Sequence, residues 1–366
     1  MDLQLTDEQK AIQEALRDIA LAEIRPVARE AEESGQVPER IEKQLFEMGV
    51  AAPVSEDFGG QGVFDAVTSV VVAEEIAWGD PGTAYYVLGR GLGATLIDLA
   101  GTEAQRKELL PQIAEGAAFG LALAERDAGA DVTQLEAEVA DGRLTGLKYA
   151  VPFADGDSLM LVAARQNDAP ALFLIDPSQS DLKPEDKLGL RSARTAKIKF
   201  DKLAVTEQIG EAGESADLHF AFLRAKLLNA GVALGLAKAA LEYATKYAQE
   251  RTAFGRPIGA FQAISFKIAD RAMDLESARL LVWKAAWAVD NKLDQAERLV
   301  MSACGHAVAA AVATADDGVQ ILGGHGYMRD HPEELWYRDA LTLATFDSPS
   351  MVGDLFMSAD YKVGSR

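Results

Sequence analysis

The sequence predicts an α+β protein organised as helices, then strands, then helices again. Residues 1–117 carry two helix-opening patterns and little alternating text. Residues 118–216 break into short alternating runs split by turn residues, and residues 217–366 return to long apolar stripes at helical spacing. The expected architecture is an N-terminal helical domain, a middle antiparallel β domain and a C-terminal four-helix bundle.

In the first region, Thr6 with Gln9 and Thr102 with Gln105 have the spacing of capping boxes. Pro26 should break the long first helix, "SEDFGGQG" (55–62) reads as a loop, and "GDPG" (79–82) as a turn between helices. In the second, "LTGLKYAV", "SLMLVAA", "PALFLID" and "AKIKFDKLAV" are separated by "DGD", "NDAP" and "DPSQSD". Period-two text with that punctuation argues for antiparallel strands. In the third, Ile264, Ile268, Ala272, Leu275, Ala278, Val282, Ala285 and Val289 step by three or four and form one apolar stripe.

The 366 residues include 57 Asp and Glu against 36 Lys and Arg, a formal charge of −21. Such a field repels nucleic acid and anionic lipid, so a phosphate-bearing ligand must be held by a few local cations. The single cysteine, Cys304, excludes a disulfide scaffold. The N-terminal text is polar and acidic, and no uninterrupted apolar run reaches the ~18 residues of a membrane span. A cytoplasmic protein with no membrane partner is expected. There is no G-x-G-x-x-G after a strand, no Walker loop and no G-x-S-x-G elbow. Gly89, Gly91 and Gly93 lie in helical text, and four scattered histidines with one cysteine make no zinc set.

Two C-terminal segments carry the remaining chemistry. One is Arg251-Thr-Ala-Phe254-Gly255 with Gln262, at a junction between helices marked by Gly255, Pro257 and Gly259. The other runs Gln320-Ile-Leu-Gly323-Gly324-His-Gly326-Tyr327 and on to Arg338-Asp339-Ala340. Taken alone, Arg251 reads better as a cation favoured at a helix C-terminus by the dipole. Together these motifs resemble the acyl-CoA dehydrogenase family, with weaker matches at "PVSEDFGGQG", "GTEAQRKELLPQIAEGAAFG" and "LGLRSARTAKIKFDKLAV".

The resemblance covers nearly the whole chain and implies the acyl-CoA dehydrogenase fold and FAD. Arg251 would grip the pyrophosphate, which a guanidinium does with paired hydrogen bonds. Phe254, Gln262, Gln320, Gly323 and Gly324 would complete the dinucleotide site, with the two motifs coming from neighbouring subunits of a tetramer. Val151 would lie by the flavin ring, and Lys226 and Phe346 by the substrate. The implied partners are an acyl-CoA substrate and an electron-transfer flavoprotein as acceptor.

The family's carboxylate base, usually a Glu seven residues after Arg-Asp-Ala, falls here on Asp347. The alternative family position falls on Ala225, so Asp347 is the candidate base. Asp347-Ser348-Pro349-Ser350 also has the pattern of a helix opening. An Asp is one methylene shorter than Glu, and a misplacement of about 1 Å can cost ~100-fold.

Around the flavin ring the sequence departs from the family. The Thr and Ser of the family's Leu-Thr-Glu-Pro-x-Ala-Gly-Ser-Asp are Ala124 and Ala130 here, and its Trp-Ile-Thr is Ala150-Val151-Pro152. Pro349 and Met351 replace a Thr and a Gln, and Lys226 replaces an Arg. The expected function is α,β-dehydrogenation of an acyl-CoA. One alternative is a weakly catalytic subunit of an α2β2 assembly, resembling the bacterial enzymes for steroid side chains. Another is an Asp-based oxidase resembling nitroalkane oxidase.

Overall fold

The computed structural model describes residues 4–117, 119–125, 135–153, 159–210 and 216–346. Helix α1 (Asp7–Ile19) opens on a Thr6–Gln9 capping box, and α6 (Glu103–Ala114) on the matching Thr102–Gln105 box. Between α1 and α2 (Ala28–Ser34) a π turn and a short 3-10 turn carry Arg25-Pro26-Val27. Proline has no amide to donate and its ring clashes with the preceding turn, so the regular ladder is interrupted there. Helix α3 (Glu39–Glu47) leads to α4 (Ala66–Gly79) and α5 (Pro81–Ala100), separated by the single residue Asp80, whose carboxylate accepts from the Thr83 amide at 2.7 Å.

The middle region forms an eight-stranded sheet. Its strands are β1 (Phe119–Ala122), β2 (Glu138–Ala140), β3 (Arg143–Pro152), β4 (Leu159–Gln166), β5 (Ala169–Ile175), β6 (Asp181–Pro184), β7 (Thr195–Ala204) and β8 (Glu207–Ile209). The order β6-β7-β3-β2-β4-β5-β8 corrects the expectation of a purely antiparallel unit at one place. Strand β4 runs parallel to β1, Phe119↔Leu159 through Ala122↔Val162, and touches β2 in parallel at Glu138↔Arg165. The β2–β3 hairpin intervenes between β1 and β4, so β4 enters the sheet along β1 in the same direction.

Helix α7 (Ala216–Glu250), α8 (Gln262–Asp290), α9 (Ala296–Leu322) and α10 (Glu333–Phe346) make the C-terminal bundle. On α8 the predicted stripe is buried from Leu275 through Val289, while Ile264 and Ile268 join a smaller cluster around Ala244, Ala248, Ile321 and Leu322. Although no uninterrupted apolar run is present, Leu218–Glu250 and Ala296–Tyr327 are long and apolar enough on average to cross a membrane. Their most apolar windows are 78% and 56% buried within the fold, the behaviour of core helices.

Helix α4 is apolar on nearly every face and is buried all round. It crosses α7 so closely that a Cβ at Gly235 would stand 2.2 Å from the Glu74 carbonyl oxygen and 2.7 Å from the Ala77 Cβ. Backbone oxygen cannot rotate away, so the clash should outweigh the ~1 kcal/mol that Ala gains over Gly within a helix. Gly235→Ala is expected to lower stability by about 1–3 kcal/mol. The measurement is the urea midpoint at constant m-value, and an unchanged midpoint would show that α4 and α7 part without cost.

Candidate functional site

The dinucleotide motif lies at one end of the bundle. Two short strands, Thr252–Ala253 and Arg256–Pro257, pair antiparallel, so the junction between α7 and α8 is a β-hairpin. Its two-residue loop, Phe254-Gly255, has φ of +52° and +81°. That is the type I′ pattern, which needs left-handed backbone at both positions. It sets Phe254 at the tip, 97% exposed. Arg251, Gln262 and Gln320 are also exposed.

The second motif is bound to the first within the same chain. Gly323 caps α9 with φ +60°, and the following turn, Gly323–Tyr327, packs back on α9. The Tyr247 hydroxyl and His325 Nδ1 are 2.7 Å apart, as are Tyr243 and His331. Ile321 and Leu322 share an apolar cluster with Tyr247 and Ile258. A guanidinium, two amides, an exposed ring and open backbone at Gly323-Gly324, where a Cβ would meet nothing within 4 Å, are thus the exposed groups of the two motifs. These groups fit an anionic dinucleotide on an otherwise acidic protein.

A second feature lies where the three regions meet. A cleft of about 50 Å³ is lined by Tyr85 of α5, Ala150 and Pro152 of β3, Ala225 and Lys226 of α7, and Phe346 at the end of α10. Lys226 is buried, and its carbonyl accepts from the Cys304 thiol at 3.4 Å. The Phe346 ring stands 5.1 Å from Tyr85. Val151 is 1% exposed and belongs to the core of the sheet, so its side chain is turned from the cleft and its neighbours Ala150 and Pro152 form the wall. Asp347, Ala130, Pro349 and Met351 lie outside the described residues.

A larger hollow of about 590 Å³ continues past Phe346, lined by Glu185, Lys187 and Thr345 among others. Burial draws the Lys187 ammonium down to about 8 against the opposing pull of Glu185. It donates to Thr195 Oγ1 at 2.8 Å and lies 5.7 Å from the Phe346 ring centre. Beneath the cleft, buried Lys148 donates to Glu125 at 2.6 Å and to the Leu123 carbonyl at 3.0 Å. Glu125 also accepts from the Glu136 and Ala137 amides, so a charge pair fixes Leu123 and Ala124 on the cleft wall. Sequence reasoning missed Lys148 in a strand and Lys187 in the loop before β7, for a lysine's text gives no sign of its burial.

What positions Phe346 is a clamp on α10. The Gly189 amide donates to Thr342 Oγ1 at 2.9 Å, and the Leu190 amide to Asp339 Oδ1 at 2.6 Å. A Cβ at Gly189 would stand 2.3 Å from the Arg338 carbonyl, so only glycine allows this approach. The Asp of the Arg338-Asp339-Ala340 motif therefore acts as a buried anchor of the helix.

An α–β–α scaffold with a cleft at the meeting of its three regions is the layout that the resemblance to the acyl-CoA dehydrogenases implies. Residues 6–117 match the family described as acyl-CoA dehydrogenase, N-terminal domain, and residues 217–350 the acyl-CoA dehydrogenase, C-terminal domain. A probable acyl-CoA dehydrogenase, YngJ, of Bacillus subtilis is 31% identical over 98% of this chain and 99% of its own length. The mitochondrial short-chain specific acyl-CoA dehydrogenase of Bos taurus is 32% identical over 97% and 90%. The structure of butyryl-CoA dehydrogenase from Megasphaera elsdenii superposes with a TM-score of 0.87 at 28% identity, covering 98% of this chain and 99% of that one. The chain belongs to the acyl-CoA dehydrogenase family, and its cofactor is FAD.

The clamp has a pH signature. Burial, reinforced by Asp80, pushes the Asp339 carboxyl up to about 8. The unfolded chain ionises this group near pH 4, so between about pH 4 and 8 the folded protein holds the extra proton and stability falls as pH rises. Asp339→Asn should flatten that fall in a series of thermal midpoints from pH 5 to 8. An equal slope in both proteins would exclude Asp339 as its source.

Proposed function

We propose that this protein removes two hydrogens from adjacent carbons of an acyl-CoA thioester, giving the trans-2-enoyl-CoA, with Asp347 as the base that takes the α-proton. The observation that carries this reading is the cleft where helices α5, α7 and α10 meet strand β3. Phe346, the residue before Asp347, forms part of its wall. Bound FAD supplies the acceptor for the hydride leaving the β-carbon. Arg251, Gln262 and Gln320 hold the dinucleotide, and the backbone of β3 at Ala150–Pro152 borders the reacting carbons. Lys226 sets a buried cation in the wall, and the clamp of Gly189 and Leu190 on α10 fixes Phe346 beside it. The reduced cofactor passes its electrons to an electron-transfer flavoprotein.

A paired subunit belongs to the proposal. Phe254 and Tyr327 stand out from the dinucleotide edge, and Phe266, Met273, Leu280 and Trp287 repeat every seven residues along exposed α8. An apolar row of this kind supports burial against another chain. Whether the assembly is a homotetramer or an α2β2 heterotetramer turns on one further observation. Ala124, Ala150 and Pro152 give the cleft neither a hydroxyl donor nor an aromatic face at those positions. That favours a second reading, in which a related partner chain completes the chemistry.

Asp347→Asn tests both. In the FAD-loaded enzyme it should slow flavin bleaching by acyl-CoA ~100- to 10,000-fold, the usual worth of a general base, with flavin per chain retained. Bleaching as fast as in the wild type would remove Asp347 from the chemistry. A chain that holds no FAD when purified alone would establish the partner-dependent reading.

A further inference from the structure

Beside the cleft lies a second cavity of about 50 Å³, between α4, α5 and α7. Leu92 and Leu228 line both. The new cavity is walled by Pro53, Val70 and Leu88, and its polar side chains are Ser69, Thr95 and Arg224. Arg224 stands one residue before Ala225 of the cleft wall, so consecutive residues of α7 face the two cavities. A bare apolar pocket would serve an alkyl tail without any cation.

Arg224 is not consumed by its surroundings. Its Nη2 donates to the Phe64 carbonyl and, at 3.0 Å, to Ser69 Oγ. Among the described residues no carboxylate lies within ion-pair distance, and Nε and Nη1 have no hydrogen-bond partner. Burial lowers its pKa while Asp290, Asp65 and Asp98 support its charge from farther off. A guanidinium carries five N–H donors, and leaving donors unmet in an apolar enclosure costs free energy that a ligand oxygen can recover.

We infer that this cavity receives the distal end of the acyl chain and that Arg224 hydrogen-bonds an oxygen carried there, so that the preferred substrates are oxygenated acyl-CoAs. The inference deepens the proposed function and rests on it. The tail passes between Leu92 and Leu228, and its keto, hydroxyl or carboxylate oxygen meets the free side of the guanidinium. A carboxylate adds charge pairing, while the three aspartates around the site temper that gain, so neutral oxygen functions are accommodated too. Arg224 touches the substrate far from the reacting carbons, so it sets specificity and takes no part in proton or hydride transfer.

The test is a matched panel of acyl-CoAs of one chain length ending in methyl, hydroxyl or carboxylate, followed by flavin bleaching of the FAD-loaded enzyme. The oxygenated substrates should exceed the methyl-terminated one in kcat/KM by ~10-fold or more, a difference carried by KM. The order of hydroxyl and carboxylate separates neutral from charged recognition. Arg224→Met should abolish the preference, and Arg224→Lys, which keeps the charge with fewer donors, should retain part of it. Equal turnover of the three substrates by the wild-type enzyme would overturn the inference whether or not the variants fold, and would leave the dehydrogenase reading standing. Bleaching by none of them would overturn that reading and this inference together.

Discussion

Two neighbouring carboxylates, Glu74 and Glu75, lie buried on α4, a helix otherwise almost wholly apolar. Glu75 accepts from Arg17 of α1 at 2.5 Å, from the Gln13 side-chain amide at 3.1 Å and from Lys238 of α7 at 3.2 Å, and Arg279 of α8 holds Glu74 at 2.8 Å. A carboxylate taken from water without such partners would cost several kcal/mol, and breaking a buried pair commonly costs about 3–5 kcal/mol. Apolar burial is non-directional and leaves sliding and rotation open. These pairs are directional, and they lock the N-terminal helices to the bundle in one register.

That frame extends to the cleft by a traceable series of contacts. The turn after α4 is closed by Asp80, whose carboxylate accepts from Thr83 and, at 2.8 Å, from the Ser192 hydroxyl. The same loop offers the amides of Gly189 and Leu190 to α10, and α10 ends in Phe346 at the cleft wall. The Phe346 ring on the cleft wall is thus positioned by polar contacts that begin at the α4–α5 turn, far from it along the chain.

What the sequence made legible is what local chemistry decides. Both capping boxes, the break at Pro26 and the α–β–α order follow from residues within a few positions of one another. The dinucleotide motif was legible as text, but its junction folds as a type I′ hairpin, because Phe254 accepts a left-handed φ that residue preference alone would give to glycine or asparagine. The parallel entry of β4 along β1 was invisible, since alternation tells which face a residue occupies and nothing about its neighbouring strand. Val151 illustrates the same limit: its motif position is right for the cleft, while strand alternation turns its side chain into the core. The partners of Glu74, Glu75 and Arg224 are equally unreadable, because most of them come from elements more than fifty residues away.

The small cluster of Ala244, Ala248, Ile321 and Leu322 at the bundle end is separate from the main core. The hairpin of residues 252–257 and the Gly323–Tyr327 turn adjoin this satellite, apart from the large core. A ligand held at that end of the bundle can therefore come and go without opening the large core. Mass action then ties the occupancy of any ligand held there to its free concentration, while the amount of folded chain stays set by the main core.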